Sequence, residues 1–359
     1  MKITLQQAAD DWLYHRKAQG IAANTIRTEQ QIVRRFITVN GNILVSSVTY
    51  RHVDAHLATA GKTRARNSLV LDHGALRRFF GWCVATNKAP QKFNPMGVSR
   101  PPRREKRERR RLPVAQFGQL LDAAPTGRDR ATIALGLYLF LRGGEISSLR
   151  IGDLNLQDRE VLVTVHKTHQ QDLMPVSTEL AREMTRWLTS YLTDVGTSTL
   201  DDSWFLVPGK TQPHWRHDVD QGSYQQATAL VPTKQYTTPA VPVQNALVTI
   251  GWMEDTARSY QPYRRGAGSQ EGVHTLRRSG ARALFDRLRN EGYDGALRTC
   301  QAMLHHASSL QTEAYIGLTL DRWHRNTLIK GEAMYPVGEN VVSLSHGTQE
   351  DRDSNLRLA

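Results

Sequence analysis

Apolar residues recur at helical spacing from the fifth position onward. Leu5, Ala8, Ala9, Trp12 and Leu13 form a stripe that one helix face would bury, and Thr4 stands ahead of them as a start signal. The period returns in Ile26, Ile32, Val33 and Phe36, with Asn24 placed to cap that helix. Val48 and Val53 predict a short third helix, and Ala65 to Val84 a longer one through Leu69, Leu76, Phe79, Phe80 and Trp82. Residues 1–96 therefore read as a helical domain whose aromatic stripe is core. Further on, an apolar helix over Ala131 to Phe140 runs into Arg142. The period then drops to two at Val161, Val163 and Val165, which predicts a strand, with Leu173 to Val176 as its return. Residues 208–244 are polar and rich in Pro and Gln, and predict an inserted surface loop. Leu276, Ala281, Leu284 and Phe285 mark a later amphipathic helix, and residues 318–334 suggest one more. These spans divide the chain into a domain at 1–96, a linker at 97–113, a second domain at 114–335 and a polar tail at 336–359.

Charge adds what periodicity cannot. Among 359 residues the formal net charge is +13, which suits a polyanionic partner. The densest run, Arg100 to Arg111, has too few apolar residues to form a core and reads as a solvated linker between two globular halves. Its Arg103, Arg104, Lys106, Arg107, Arg109, Arg110 and Arg111 are candidates for tracking the phosphates of double-stranded DNA, with a merely soluble hinge as the bland alternative. Lys62, Arg64, Arg66, Arg77 and Arg78 are the candidates in the first domain. Two cysteines, Cys83 and Cys300, match no disulfide or zinc pattern. With no apolar run of membrane length and no leader pattern, the expected setting is cytoplasmic and no membrane partner is expected.

The chemistry-bearing residues stand in three local frames. Arg142 leads into Gly143-Gly144, where the backbone is free to approach a phosphate, and Glu145 follows within one helical turn to hold the guanidinium. His274 and Arg277 share an i, i+3 face. His306 and Tyr315 are nine residues apart, which would put them on opposite faces of a continuous helix, but Ala307-Ser308-Ser309 offers a break and a new cap that lets them converge. Taken singly, each frame has an ordinary reading: a surface ion pair, a basic amphipathic helix, a buried tyrosine. Taken together, two arginine forks, two histidines, Lys167 and a tyrosine nucleophile suit phosphodiester chemistry in which fixed cations, rather than a metal, meet the developing charge.

In this order the frames resemble the signature of the tyrosine recombinases, the phage-integrase family. Leu141 to Ile146 matches the setting of that family's first arginine, His274-Thr-Leu-Arg277 its His-x-x-Arg box, Leu304 to His306 its Leu-Gly-His box, and Tyr315 its nucleophile. Lys167 resembles the lysine that the family carries on a β-hairpin turn. The sequence departs from the pattern at three points: His305 stands where glycine is usual, Arg278 where many members have a second histidine, and Phe140 where glycine is common. The resemblance implies a helical core-binding domain followed by a mainly α catalytic domain with a small antiparallel β-sheet. It implies Tyr315 attacking a DNA phosphodiester to give a 3′-phosphotyrosyl link, with Arg142, Arg277 and His306 on the non-bridging oxygens. Lys167 would act as general acid, His274 as acid/base and Glu145 as support. No cofactor, metal or ATP is implied. The implied partners are recombination or attachment sites, a homo-tetramer on synapsed DNA, and accessory bending or directionality factors, with residues 318–334 docking on a neighbouring protomer. Three rivals stay open: a type IB topoisomerase-like enzyme, a DNA-binding protein without catalysis, and a metal-dependent hydrolase suggested by His166, His169, His305 and His306.

Overall fold

A computed structural model describes residues 3–105, 110–165, 170–212, 214–218, 223–253 and 271–318. They fall into two compact units that divide within the basic run, at 107/108. The first unit is helical: α1 (Leu5–Ala18), α2 (Ala23–Asn40), α3 (Tyr50–Gly61) and α4 (Arg66–Ala85). Thr4 caps α1 in a reciprocal box with Gln7. Asn24, expected to cap α2, lies inside it; the helix starts one residue earlier, after Ala22, and the Asn24 side chain accepts from Arg27 instead. The stripes meet in one core, where Trp12 packs on Phe79 with ring centroids 5.3 Å apart and Phe36 on Phe80 at 5.6 Å. This aromatic set is interior, as its periodicity predicts.

The second unit is built around α6 (Gly127–Tyr138), which is buried almost all round and packs against helices before and after it in the chain. Its other helices are α5 (Phe117–Asp122), α7 (Gly143–Ser148), α8 (Thr178–Val195), α9 (Ala240–Thr249), α10 (Val273–Asn290), α11 (Ala296–Met303) and α12 (Ser309–Ile316). The expected hairpin is present: β2 (Glu160–Val165) pairs antiparallel with β3 (Gln170–Pro175), and β1 (Leu154–Asn155) joins its other edge. β2 buries Val161, Val163 and Val165, the alternation that marked it in the sequence.

Residues 208–244 are a correction to the expected loop. They hold β4 (Pro208–Lys210), β5 (His214–Asp218), β6 (Ser223–Ala227) and β7 (Leu230–Gln235), paired as β4–β7 and β5–β6, and the start of α9. Backbone pairing compensates for the lack of apolar side chains in this nested pair of ladders. Among the described residues here, Tyr236 and α9, through Val243, Ala246 and Leu247, join the core. A close approach elsewhere depends on glycine: a Cβ at Gly280 of α10 would collide with the Leu137 carbonyl and come within 2.7 Å of the Phe140 ring. That contact lets α10 lie directly against the end of α6.

Candidate active site

Where α6 ends, Phe140 takes a left-handed backbone with φ of 57°, and Arg142 follows as the N-cap of α7. Glu145 closes that turn. Its carboxylate accepts from the Arg142 backbone N–H and from Arg142 Nη1, each at 2.7 Å. The same carboxylate lies 3.8 Å from Arg277 Nη1. Glu145 is 1% exposed, so it is a buried anion shared by two guanidinium groups. Holding both cations at fixed positions removes the need to reorganise them when a phosphate arrives.

Arg277 is itself buried at 1% exposure, one turn into α10. It donates to the carbonyls of Phe140 and Leu304, tying the end of α6 to the end of α11. Burial lowers its pKa to about 10, and the Arg142 charge pushes the same way, while Tyr315 and Glu145 oppose the shift. The guanidinium nonetheless stays protonated at neutral pH. His274, exposed at the start of the same helix, places Nδ1 3.4 Å from the Tyr315 hydroxyl.

The last frame folds as its residues suggest. α11 stops at Met303, His305 turns left-handed with φ of 49°, and Ser308 caps α12 by accepting from the Gln311 N–H. The break brings the His306 and Tyr315 rings edge to face, centroids 5.1 Å apart, and the Arg277 guanidinium stands 6.0 Å from the Tyr315 ring centre. His306 Nδ1 lies 3.1 Å from the hydroxyl of buried Thr312, a partner that nothing in the sequence singles out. That hydroxyl also donates to the Ser308 carbonyl, so the Thr312 oxygen accepts from Nδ1–H, which fixes the setting of the ring. Gly317 ends α12 at φ of 84°, and its missing side chain makes room for the Arg111 guanidinium.

Arg142, Glu145, His274, Arg277, His306 and Tyr315 are thus brought together. Lys167 lies in 166–169, outside the described residues, in the sequence between β2 and β3, whose last described pair is Val165 with Gln170. His166 and His169 lie outside them too. His305 and His306 face different partners, Asp172 and Thr312, rather than sharing one site. Both residues that replace a usual glycine, Phe140 and His305, occupy left-handed backbone, a conformation that costs an L-residue about 1–2 kcal/mol. Arg278, the third departure, bonds buried Glu271 at 2.7 Å.

The candidate phosphate-tracking residues divide into two kinds. Lys62, Arg77, Arg103 and Arg104 are exposed. Others already hold protein partners. Arg64 bonds the buried Asp72 at 3.2 Å, and Arg78 grips the buried Glu29 with two nitrogens at 3.1 and 2.9 Å. Arg66 stands 3.5 Å from Glu105. Arg110 is not the free cation of a solvated linker: its guanidinium lies 4.1 Å from the Trp252 ring centre and donates to the Trp252 carbonyl at 3.2 Å. Lys106, Arg107 and Arg109 lie outside the described residues. The two buried acids, Glu29 and Asp72, carry no local sequence signal that would reveal their arginine partners.

Comparison with known proteins agrees with this geometry. Residues 110–237 match the family model described as the phage integrase family. A tyrosine recombinase of Pseudothermotoga lettingae is 23% identical over 190 residues, 51% of this chain and 65% of that protein. Tyrosine recombinase XerC of Actinobacillus succinogenes is 28% identical over 193 residues, 52% of this chain and 64% of the relative. The chain spans less than two thirds of the length of these curated relatives. Among solved structures, a lambda integrase dimer bound to a COC′ core site aligns with a TM-score of 0.63 at 16% identity, over 90% of this chain and 79% of that one. The Tn1549 transposon integrase, in complex with a circular intermediate DNA, aligns with a TM-score of 0.56 at 15% identity, over 87% of this chain and 95% of the other. The fold is that of the DNA integrases. Over the matched residues the chain is similar to the phage integrase family, and its curated relatives are tyrosine recombinases.

Proposed function

We propose that this protein is a site-specific DNA recombinase that cuts and rejoins strands through Tyr315. The observation that carries the reading is the convergence on one tyrosine: His274 Nδ1 3.4 Å from its hydroxyl, the His306 ring at 5.1 Å, and Arg277 bridged to Arg142 by Glu145. The Tyr315 oxygen attacks phosphorus and gives its proton to His274. Negative charge rises on the non-bridging oxygens, where Arg142, Arg277 and, in its imidazolium form, His306 through Nε2–H donate. The bond to the 5′-oxygen breaks as that oxygen takes a proton from Lys167. The product is a 3′-phosphotyrosine and a free 5′-hydroxyl. Because one ester replaces another, attack by a second 5′-hydroxyl reseals DNA without ATP. The arginines supply the charge stabilisation that a metal supplies in other phosphoryl-transfer sites, so cleavage should survive excess EDTA.

The finer reading is phage-type integration by a homo-tetramer on two attachment sites in a bacterial cytoplasm, assisted by DNA-bending or directionality factors. The support is the net charge of +13 and a shared fold with a lambda integrase tetramer bound to a Holliday junction. The decisive experiment uses a nicked suicide duplex of the element's attachment site on a denaturing gel. Wild type should form a covalent adduct and Tyr315→Phe none, with site binding retained. An adduct that persists in Tyr315→Phe places the nucleophile elsewhere, and relaxation of supercoiled DNA without recombination would favour a topoisomerase.

A further inference from the structure

His305 occupies a backbone conformation that glycine would adopt freely, directly before His306. Its side chain meets a different partner from that of His306. Nε2 lies 2.8 Å from Oδ2 of Asp172, 133 residues away on β3, with the imidazole 15% and the carboxylate 48% exposed. Nδ1 is buried and has no partner among the described residues, so the neutral tautomer that wastes least places the proton on Nε2, donated to Asp172. This bond reaches a weakly held piece of structure. From Gln170 to Leu173 every β3 residue is exposed, and only Met174 of that strand is buried, whereas β2 buries three valines. The exposed half of β3 is therefore held by its ladder to β2 and by what Asp172 touches.

We propose that His305 is a positioning residue: through Asp172 it fixes the β2–β3 hairpin against the turn that carries His306. An exposed His–Asp bond contributes little to global stability, which makes a local positioning role the better account of its place. Its consequence for chemistry rests on the strand-transfer reading above. Lys167 lies in the sequence between β2 and β3, so a hairpin that drifts from the site protonates the leaving 5′-oxygen poorly, while attack by Tyr315 on phosphorus is untouched. Replacing the bridging 5′-oxygen by sulfur separates the two steps, because a thiolate departs without a proton.

The test uses full-length wild type, Asp172→Asn, His305→Gly and the double variant; glycine keeps the left-handed backbone, so folding is retained. On an ordinary suicide duplex each single variant should lower single-turnover adduct formation about 10-fold, and the double variant no further, as coupled neighbours behave. On the 5′-bridging phosphorothiolate duplex the loss should be under about twofold. Backbone amides of β3 should exchange hydrogen several-fold faster in each variant while those of α10 do not change. Equal losses on both duplexes, additive losses, or unchanged β3 exchange would each overturn the proposal. If wild type forms no adduct on either duplex, the strand-transfer reading falls, and the exchange measurement alone still decides whether His305 holds the hairpin.

Discussion

Glu145→Gln keeps the shape of the arginine anchor and removes its charge. The amide oxygen can still accept from the Arg142 backbone N–H, so the cap of α7 survives. What is lost is an anion 3.8 Å from Arg277 and 2.7 Å from Arg142 Nη1. At an effective dielectric of about 20, one charge pair at the longer distance is worth about 4 kcal/mol. The side-chain amide dipole and the relieved burial of the carboxylate return part of that. Breaking a buried ion pair by removing one partner typically destabilises by about 3–5 kcal/mol, so about 3 kcal/mol is expected here. The two guanidinium groups would then repel each other, and on the proposed mechanism cleavage should fall about 100-fold, as when a fixed transition-state donor is displaced. Urea unfolding followed by tryptophan fluorescence reads the first number, since Trp187, Trp204 and Trp252 all lie in the second unit. Single-turnover cleavage of the suicide duplex reads the second. A loss below about 1 kcal/mol together with a rate within threefold of wild type would refute the shared-anion account.

Three further outcomes are expected. The burial that lowers Arg277 to about 10 would lower a lysine in its place from a lower starting point; Arg277→Lys should therefore retain residual cleavage while that ammonium is charged and lose it as pH rises through the lysine's lowered pKa, a limb that starts at lower pH than any in the wild-type pH–rate profile. Thr312→Val should leave DNA affinity intact but slow cleavage about 10-fold, because the His306 imidazole loses the hydroxyl that orients its Nδ1; an unchanged single-turnover rate would remove Thr312 from the mechanism. Arg103→Ala and Arg104→Ala should each lower the log–log salt slope of binding by about 0.9, whereas Arg110→Ala should change it less, since that guanidinium rests on Trp252; binding isotherms at several salt concentrations decide this.

Much of the site was legible because it is written in local frames. The Arg142–Glu145 spacing, the His274–Arg277 face and the serine cap before Tyr315 each follow from rules that operate within one or two turns of chain. What the sequence concealed is long-range. Glu29 gathers Arg16 and Arg78 from two other helices, and Asp72 gathers Arg35 and Arg64. No periodicity marks an acid on a helix as the buried partner of distant cations, so Arg64 and Arg78 look like free DNA contacts until the fold is known. The 208–244 segment misled for a related reason: its strands are stabilised by backbone ladders, which leave little trace in polar side chains. Phe140 and His305 were visible as departures from glycine, but not as left-handed residues whose side chains are anchored, one in a small apolar cluster and the other on Asp172.

The carbonyls that hold Arg277 belong to Phe140 and Leu304, one far upstream and one downstream of α10. A growing chain that has reached only α10 owns both arginines and Glu145, yet lacks the second of those anchors, the orienting Thr312 and the nucleophile. If Tyr315 is the nucleophile proposed above, competence to break DNA arrives last, with the final described helix, and only once distant parts of the second unit have closed on one another. On that reading, a fragment clipped before α12, or a chain caught half-folded, would carry positive charge to a duplex without the nucleophile to nick it. On the strand-transfer reading proposed above, the order of assembly is itself a safeguard.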